Sequence, residues 1–511
     1  MYIFETTIAL LVGAALLSSL ARRFAVPYPS LLAVGGALIA LLPVQSLPLL
    51  ELSPELILTL FVAPALLSAA HETSLRDLRE NWGIIASLVV IAVGLTTLAV
   101  ACVARYLLPG LDWAPAIALG ALLAPPDAIA AMAVLGQVNP PYRVKVVLEG
   151  ESLFNDASSL LIYKLAVGAV ITGGFHATDA LPPFFLLGFG SVIVGWALAR
   201  LAKYQILCVK DAPIAVIFQF ALTFGVWILA ERLGLSGVIT IVVFGLTISR
   251  YSTLFMPARL RISSFAIWDS VIFILNALAF TMIGLQLRPI LEHVDLNEAI
   301  RMLTLAFILL IVVIATRLVW VIAYTLAMKN TKFYNRENKE SFLPVKSGLV
   351  IAWSGMRGIV TLSAAMALPE VFPYRDFIQL TAFIVVLGTL LIQGMTLGPL
   401  LNRLRLPEDT KIDDEINLAR AEALKAAISE LEAQASVSAQ RLLSEYVTAL
   451  RHVSDSKDPA DTEDNRLRRK AVEAARKAIF DLLVNHHIND ETYRSVEEKL
   501  DWIELSASNN H

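Results

Sequence analysis

Val147-Leu-Glu149-Gly-Glu151-Ser152-Leu-Phe-Asn155-Asp156-Ala-Ser158-Ser159-Leu-Leu-Ile-Tyr163-Lys164 lies inside a long apolar stretch of the chain. At helical spacing Glu151 and Asn155 share one stripe, while Ser152, Asp156 and Ser159 share the adjacent one. One helix thus presents a carboxylate over an amide, beside a hydroxyl over a carboxylate. In a membrane span an ionisable residue costs roughly 2.5–3.5 kcal/mol on insertion scales. A satisfied core contact explains one such residue, not four within two turns. The segment reads as a membrane-spanning helix that carries chemistry on one side. Lys164, two turns on, reads as a cation that snorkels to the outer interface.

The sequence on either side supports that setting. The chain has 511 residues, of which 57% are hydrophobic and 17% charged, with a mean hydropathy of +0.68; a soluble domain is more charged and less apolar. Apolar runs of about twenty residues, each long enough for a bilayer core of about 30 Å, recur to about Leu401. Thirteen spans are expected near 3–20, 29–46, 54–71, 83–108, 113–136, 143–172, 183–202, 213–233, 235–250, 265–290, 299–328, 346–369 and 376–402. Splitting the long sixth, or merging the eighth with the short ninth, would change the count. The first run ends in Ala21-Arg22-Arg23 and lacks a basic start, so it reads as a span and not as a secretory leader.

Odd-numbered loops carry seventeen Lys and Arg residues, from Arg22 and Arg23 to Lys346, whereas even-numbered loops carry only Arg105, Arg232, Arg288, Arg301 and Arg375. The positive-inside rule then puts the N-terminus outside and the C-terminal tail in the cytoplasm. The expected domains are a membrane domain, 1–402, and a soluble helical tail, 403–511. In the tail Ile412, Ile416, Leu424, Ile428 and Leu431 recur at helical spacing. A break follows at Ser454 to Asp464, then helical stretches from about Arg466 to Val484 and from a cap at Asn489-Asp490. The net charge of −3 gives no sign of a nucleic-acid partner. The two cysteines, Cys102 and Cys208, have neither metal-site spacing nor a disulfide framework.

Two other spans break the apolar pattern. The fifth contains Ala124-Pro125-Pro126-Asp127-Ala128 in its middle. Each proline removes a backbone donor and clashes with the preceding turn, so the helix is expected to break there or, in the plainer reading, to kink. The twelfth reads Trp353-Ser354-Gly355-Met356-Arg357-Gly358-Ile-Val-Thr361, with an obligate cation between glycines. Arg357 needs a buried anion, and Glu151 is the expected partner. Two interrupted helices seven spans apart point to an inverted repeat whose broken halves meet at the midplane, the architecture of many secondary transporters. Half-helix ends carry about ±0.5 of a charge; Asp127 would offset the positive ends and Arg357 the negative ones. Asp156 is left without an assigned cation. Such a carboxylate can hold a proton or a metal cation but not both, which is the chemistry of an antiporter.

Gly150-Glu-Ser-Leu-Phe-Asn-Asp156, Trp353-Ser-Gly-Met-Arg-Gly358 with the following Thr361-Leu-Ser-Ala-Ala-Met-Ala-Leu-Pro369, and Ser236-Gly237 after Glu231-Arg232 resemble the cation/proton antiporter family 1, the NhaP- and NHE-type sodium/proton exchangers. Trp268-Asp269, Asn276, Phe280 and Gly284 extend the resemblance, which covers most of 1–402. It implies a homodimer in the inner (plasma) membrane, in contact with lipid, with Na+ and H+ as substrates and no cofactor. By motif position Asp156 is the ion- and proton-binding carboxylate and Asn155 the amide of the electroneutral members. Ser152 is a side-chain ligand, Asp127 the carboxylate of the broken span, and Glu151 with Arg357 the structural ion pair. Na+ would sit at Asp156, Asp127 and Ser152. Many members have Thr-Asp-Pro where this chain has Pro126-Asp127-Ala128, so a hydroxyl is lost and the carbonyl of Pro126 stands in as a ligand. Some carry a glutamate where Ser68 stands; Glu72, one turn on, is an accessory position or simply lies at the cytoplasmic mouth.

The expected function is electroneutral 1:1 Na+/H+ exchange by alternating access, with Li+ as a further substrate, serving sodium extrusion and pH homeostasis. A K+/H+ antiporter on the same scaffold is the nearest rival and a passive channel another. An intramembrane protease fits poorly: His71-Glu72-Thr73 lacks the second histidine of a zinc helix, and no Ser-His pair is placed for nucleophilic work.

Overall fold

The computed structural model describes residues 2–24, 26–41, 53–136, 140–172, 186–209, 211–288, 296–330, 344–406, 411–434, 436–454, 463–485, 487 and 490–507. Most of the expected break at 454–464 lies outside them, as do Lys210, Lys332, Arg336, Lys339 and Asn489. The chain divides into two compact units, Met1–Pro407 and Glu408–His511. Regular structure among the described residues is helical throughout.

In the first unit the apolar runs fold as α1 (Tyr2–Arg23), α2 (Tyr28–Leu41), α3 (Glu55–Glu72), a short α4 (Leu75–Glu80), α5 (Trp82–Leu107), α6 (Trp113–Leu123), α7 (Ala128–Leu135) and α8 (Tyr142–Thr172). There follow α9 (Ser191–Cys208), α10 (Ala212–Arg232), α11 (Gly237–Phe255), α12 (Ala258–Leu285), α13 (Leu296–Asn330), α14 (Val345–Trp353), α15 (Ile359–Met366) and α16 (Arg375–Leu404). Leaving aside α4, these make thirteen segments in the expected order, the fifth being α6 with α7 and the twelfth α14 with α15. Seven helices among the described residues are long and apolar enough on their own to cross a membrane; the rest are shorter or interrupted.

Local chemistry sets the irregularities. In α3 the ring of Pro64 cannot continue the i→i−4 ladder, and one wider turn, Leu58–Val62, precedes it. Ser74 caps α4, its Oγ accepting from the Asp77 amide at 3.3 Å. With hydrocarbon on both sides of the comparison, helices in a membrane gain little from apolar burial and associate through close backbone approach. The α2–α12 contact shows this. A Cβ added at Gly36 would lie 2.2 Å from the Thr281 carbonyl, and one at Gly284 2.2 Å from that of Ala33. Lys164 near the far end of α8 is not left to solvent alone: its Nζ lies 3.6 Å from Glu231 Oε2 on α10.

The second unit consists of α17 (Lys411–Glu432), α18 (Val437–Ser454), α19 (Glu463–Val484) and α20 (Asp490–Ala507). The first helical stretch expected in the tail is two helices, because Ser436 starts a new one: its Oγ accepts from the Ala439 amide at 3.1 Å. α17 packs on α18 and α19 on α20. Arg476 joins the last pair through Asp501 and Glu504, the latter at 2.6 Å.

Candidate ion site

Two unwound stretches cross inside the first unit. α6 stops at Leu123 because Pro125 and Pro126 remove two successive donors, and α7 begins at Ala128 with Asp127 as its N-cap, Oδ1 accepting from the Ile129 amide at 2.9 Å. The fifth segment is therefore broken, not kinked. α14 ends at Trp353 and α15 begins at Ile359, leaving Ser354 to Gly358 unwound. The stretches bond directly, the Asp127 amide donating to the Met356 carbonyl at 2.6 Å. A Cβ at Gly358 would lie 1.6 Å from Asp127 Oδ2, so the glycine leaves the room that the Asp127 side chain fills at the crossing.

Each broken helix exposes backbone groups that must be satisfied inside the protein. Two buried arginines supply the donors. Arg357 donates from Nε to the Leu123 carbonyl at 3.0 Å, from Nη2 to that of Ala124 at 3.3 Å, and from Nη1 to that of Gly355. It thereby closes the C-terminal end of α6. Arg317 on α13 does the same for α14, donating from Nε to the Ala352 carbonyl at 3.2 Å and from Nη2 to that of Ile351 at 3.0 Å. Arg317 also forms a two-pronged pair with Glu151, Nη2 reaching Oε2 at 2.7 Å and Nη1 reaching Oε1. The expected Glu151–Arg357 pair is thus corrected. Arg317 occupies both carboxylate oxygens of Glu151, and the guanidinium of Arg357 is spent on carbonyls. Arg357 keeps the other expected role, that of offsetting a negative helix end.

The α8 stripes behave as helical spacing requires. Asn155 is fully buried and donates from Nδ2 to Glu151 Oε1 at 3.1 Å. It is not among the residues that line the cavity beside Asp156, so its place among the cation ligands is not reproduced. Asp156 faces that cavity. A space of about 330 Å³ is lined by Asp156, Asp127, Pro126, Ser152, Ser68 and Glu72, together with Tyr28, Lys145, Glu149, Asn276 and Gly358. Ser68 Oγ donates to Glu72 Oε1 at 3.3 Å. Asp156 is 8% exposed, and no hydrogen bond or ion pair engages its carboxylate among the described residues. The cavity reaches exposed Lys145, whose Nζ lies 3.7 Å from Glu149 Oε1.

A family model described as "Sodium/hydrogen exchanger, transmembrane" matches residues 7–403. The chain belongs to the sodium/hydrogen exchanger family. As an exchanger it is a cation/proton antiporter, a transporter and not an enzyme, and a multi-pass membrane protein. A sodium, potassium, lithium and rubidium/H(+) antiporter of Bacillus pumilus is 29% identical, over 99% of this chain and 78% of that protein. A low-affinity Na(+)/H(+) antiporter of Synechocystis is 29% identical, over 80% of this chain and 75% of that protein. The sodium proton antiporter MjNhaP1 from Methanocaldococcus jannaschii shares the fold, with a TM-score of 0.62 at 18% identity over 79% of this chain and 99% of that one.

Two residues of the exchanger's interior had a signal in the sequence that motif reading passes over. Arg317 is an obligate cation in the most hydropathic of the long helices, which by itself demands a buried anion. Glu149 lies three residues before Ser152 and seven before Asp156, on the same face of α8, and it lines the same cavity. The glycines of the twelfth segment read as helix breakers, but their tighter role is spatial. A Cβ at Gly355 would lie 2.5 Å from Arg317 Cδ.

Proposed function

We propose that this exchanger trades one Na+ for one H+ at Asp156, with Li+ as a second substrate. The observation that carries the reading is a charge count. In the buried centre two arginines, Arg317 and Arg357, face three carboxylates, Glu151, Asp127 and Asp156. Glu151 is held by Arg317, and Asp127 is engaged by the start of α7. Among the described residues Asp156 alone of the three lacks a fixed partner, which leaves the centre one positive charge short. One proton or one monovalent cation makes good that charge, and both cannot occupy the carboxylate together. Asp127, Ser152 and the Pro126 carbonyl border the same space and complete a set of oxygen ligands for the cation, with Ser68 and Glu72 as accessory groups on the approach.

The cycle is alternating access. Asp156 takes a cation from one side, the broken helices move with it, and the carboxylate exchanges its load for a proton on the other side. The Lys and Arg asymmetry puts the Glu72 and Lys145 end of the cavity in the cytoplasm. The inward proton gradient then expels sodium across the plasma membrane and serves pH homeostasis. The protein works as a homodimer embedded in lipid. A second reading, in which K+ is also carried, draws support from the name of the Bacillus pumilus relative and from Pro126 standing where a hydroxyl would narrow the site.

The test is purified protein in proteoliposomes, with proton movement followed on adding Na+, Li+ or K+. Exchange with Na+ and Li+ supports the reading. Exchange with K+ at similar affinity moves it to the second one, and cation flux without proton movement means a channel.

A further inference from the structure

We propose that a groove bordered by α4, α5, α8 and α11 holds one anionic phospholipid, its phosphate on Arg79 and Arg250 and an acyl chain along Trp82 and Phe154. The groove holds about 740 Å³ and shares no lining residue with the ion cavity. Its rim is built on α4, which is fastened to the start of α8. The Tyr142 hydroxyl donates to Asp77 Oδ2 at 2.7 Å, and Arg143 Nε donates to Asn81 Oδ1 at 2.7 Å. Leu78 is buried beneath, where a Cβ at Gly150 would meet it at 2.7 Å. Arg76 and Arg79, three residues apart on one face of α4, are exposed.

Three guanidiniums and one carboxylate line the groove. Glu80 is taken up by Arg76, whose Nε lies 3.0 Å from Oε1. Arg79 and Arg250 have no hydrogen bond or ion pair among the described residues. They come from different elements, α4 and α11, yet border one space. Two guanidiniums around one space call for an anion, and a phosphate offers oxygens that accept a fork of N–H donors from each. The apolar wall assigns that phosphate to a lipid. Trp82 is 55% exposed and meets Phe154 edge-on at 6.0 Å. Phe154 lies about 18 Å along α8 from Tyr142, so the groove runs from headgroup level into the hydrocarbon. Between the two stands an indole, a side chain suited to that boundary. A soluble phosphate or an acidic peptide would use the arginines but not an aromatic wall at this depth. The headgroup needs a net negative charge, because a zwitterionic one brings its own ammonium to a rim that is already positive. In the proposed orientation this rim lies at the cytoplasmic leaflet.

The test uses the purified full-length protein in a non-ionic detergent. Its melting temperature is followed as dioleoyl-phosphatidylglycerol, dioleoyl-phosphatidylcholine or soluble glycerol 3-phosphate is titrated, and native mass spectrometry counts the lipid retained. Phosphatidylglycerol is expected to raise the melting temperature and to be retained as one molecule per chain, and the other two to do neither. The double variant Arg79→Gln/Arg250→Gln should need about tenfold more phosphatidylglycerol for the same stabilisation, from the loss of two cations at the membrane surface. Trp82→Ala, which keeps both arginines, should also need more. A control pair, Arg23→Gln/Arg403→Gln, removes the same charge from exposed positions outside the groove and should bind as the parent does. Every readout is binding, so the outcome does not depend on which carboxylate exchanges the cation. Equal stabilisation by phosphatidylcholine, an unchanged half-saturating concentration in the Arg79/Arg250 variant, or equal weakening in the control pair overturns the proposal. So does stabilisation by glycerol 3-phosphate that Trp82→Ala leaves intact, which would make the ligand a soluble anion.

Discussion

At the scale of single residues, the centre of this protein separates carboxylates by what holds them. Glu151 is gripped at both oxygens by Arg317 and also accepts from Asn155, so it has no freedom to trade a proton for a cation. Asp156, one residue from Asn155, meets the cavity without a partner among the described residues. Asp156→Asn is accordingly expected to abolish exchange while leaving the melting temperature of the purified protein near that of the parent. Retention of sodium-driven proton movement would move the exchanging group elsewhere. Breaking one side of a buried ion pair typically costs about 3–5 kcal/mol, because the other charge is stranded. Arg317→Ala and Glu151→Gln should each lower the melting temperature clearly, and the double variant should melt above what the two losses sum to. Additive losses would mean that the two side chains are stabilised by separate partners. Glu151 and Asn155 were legible as one stripe from their spacing alone; the identity of the cation opposite was not, because α13 reaches α8 only through tertiary packing.

At the scale of elements, the site is the meeting of two broken helices. Their four inner ends carry partial charges and unpaired backbone groups, and each group named above answers one of these demands. Arg357 closes α6, Arg317 closes α14, and Asp127 caps α7 while its other oxygen presses on Gly358 at the start of α15. Gly358→Ala places a methyl group where Asp127 Oδ2 now sits. It is expected to remove exchange even though no ligand has been changed, read as lost transport in vesicles from protein that still reaches the membrane. Wild-type transport in that variant would show that the crossing yields without consequence. Arg357→Ala leaves carbonyls of Leu123 and Ala124 without their donor, at about 1–3 kcal/mol for each unsatisfied group, and should lower the melting temperature even with the Arg317–Glu151 pair intact. A melting curve that is unchanged would mean that water replaces the guanidinium.

At the scale of the whole molecule, the proposed exchange at one uncompensated carboxylate would set both stoichiometry and pH response. Swapping one proton for one monovalent cation moves no net charge. Transport in proteoliposomes under a potassium-valinomycin potential of either sign should therefore run at the same rate and to the same end point. A shift with voltage would bring in a second titrating group, with Asp127 and Glu72 first in line. Under the proposed competition of protons and sodium for Asp156, the sign of the pH effect follows. On the alkaline side the carboxylate is free and apparent sodium affinity is constant with pH. On the acid side, where the proton-bound form dominates, the apparent KM for sodium rises by about tenfold per pH unit. A rise near a hundredfold per unit would mean two protons displaced per cation.

The sequence by itself determined the solvent in which this protein lives, the order of its spans, where two of them break, and which helix carries Asp156, the carboxylate proposed to exchange. Those features are local: they follow from the length of apolar runs, from Pro125 and Pro126, from Gly355 and Gly358, and from a periodicity of 3.6 residues within α8. Only the tertiary structure decided which charge meets which. Arg357 and Arg317 are equally obligate cations in apolar runs, and nothing in either run names its partner. The choice is made by distance across the bundle. Arg357 lies within reach of the carbonyl end of α6, and Arg317 faces Glu151 across α14. The same packing turned Asn155 away from the cavity and Glu149 into it, because the stripe a residue shares is set by its own helix, whereas the side that faces open space is set by its neighbours.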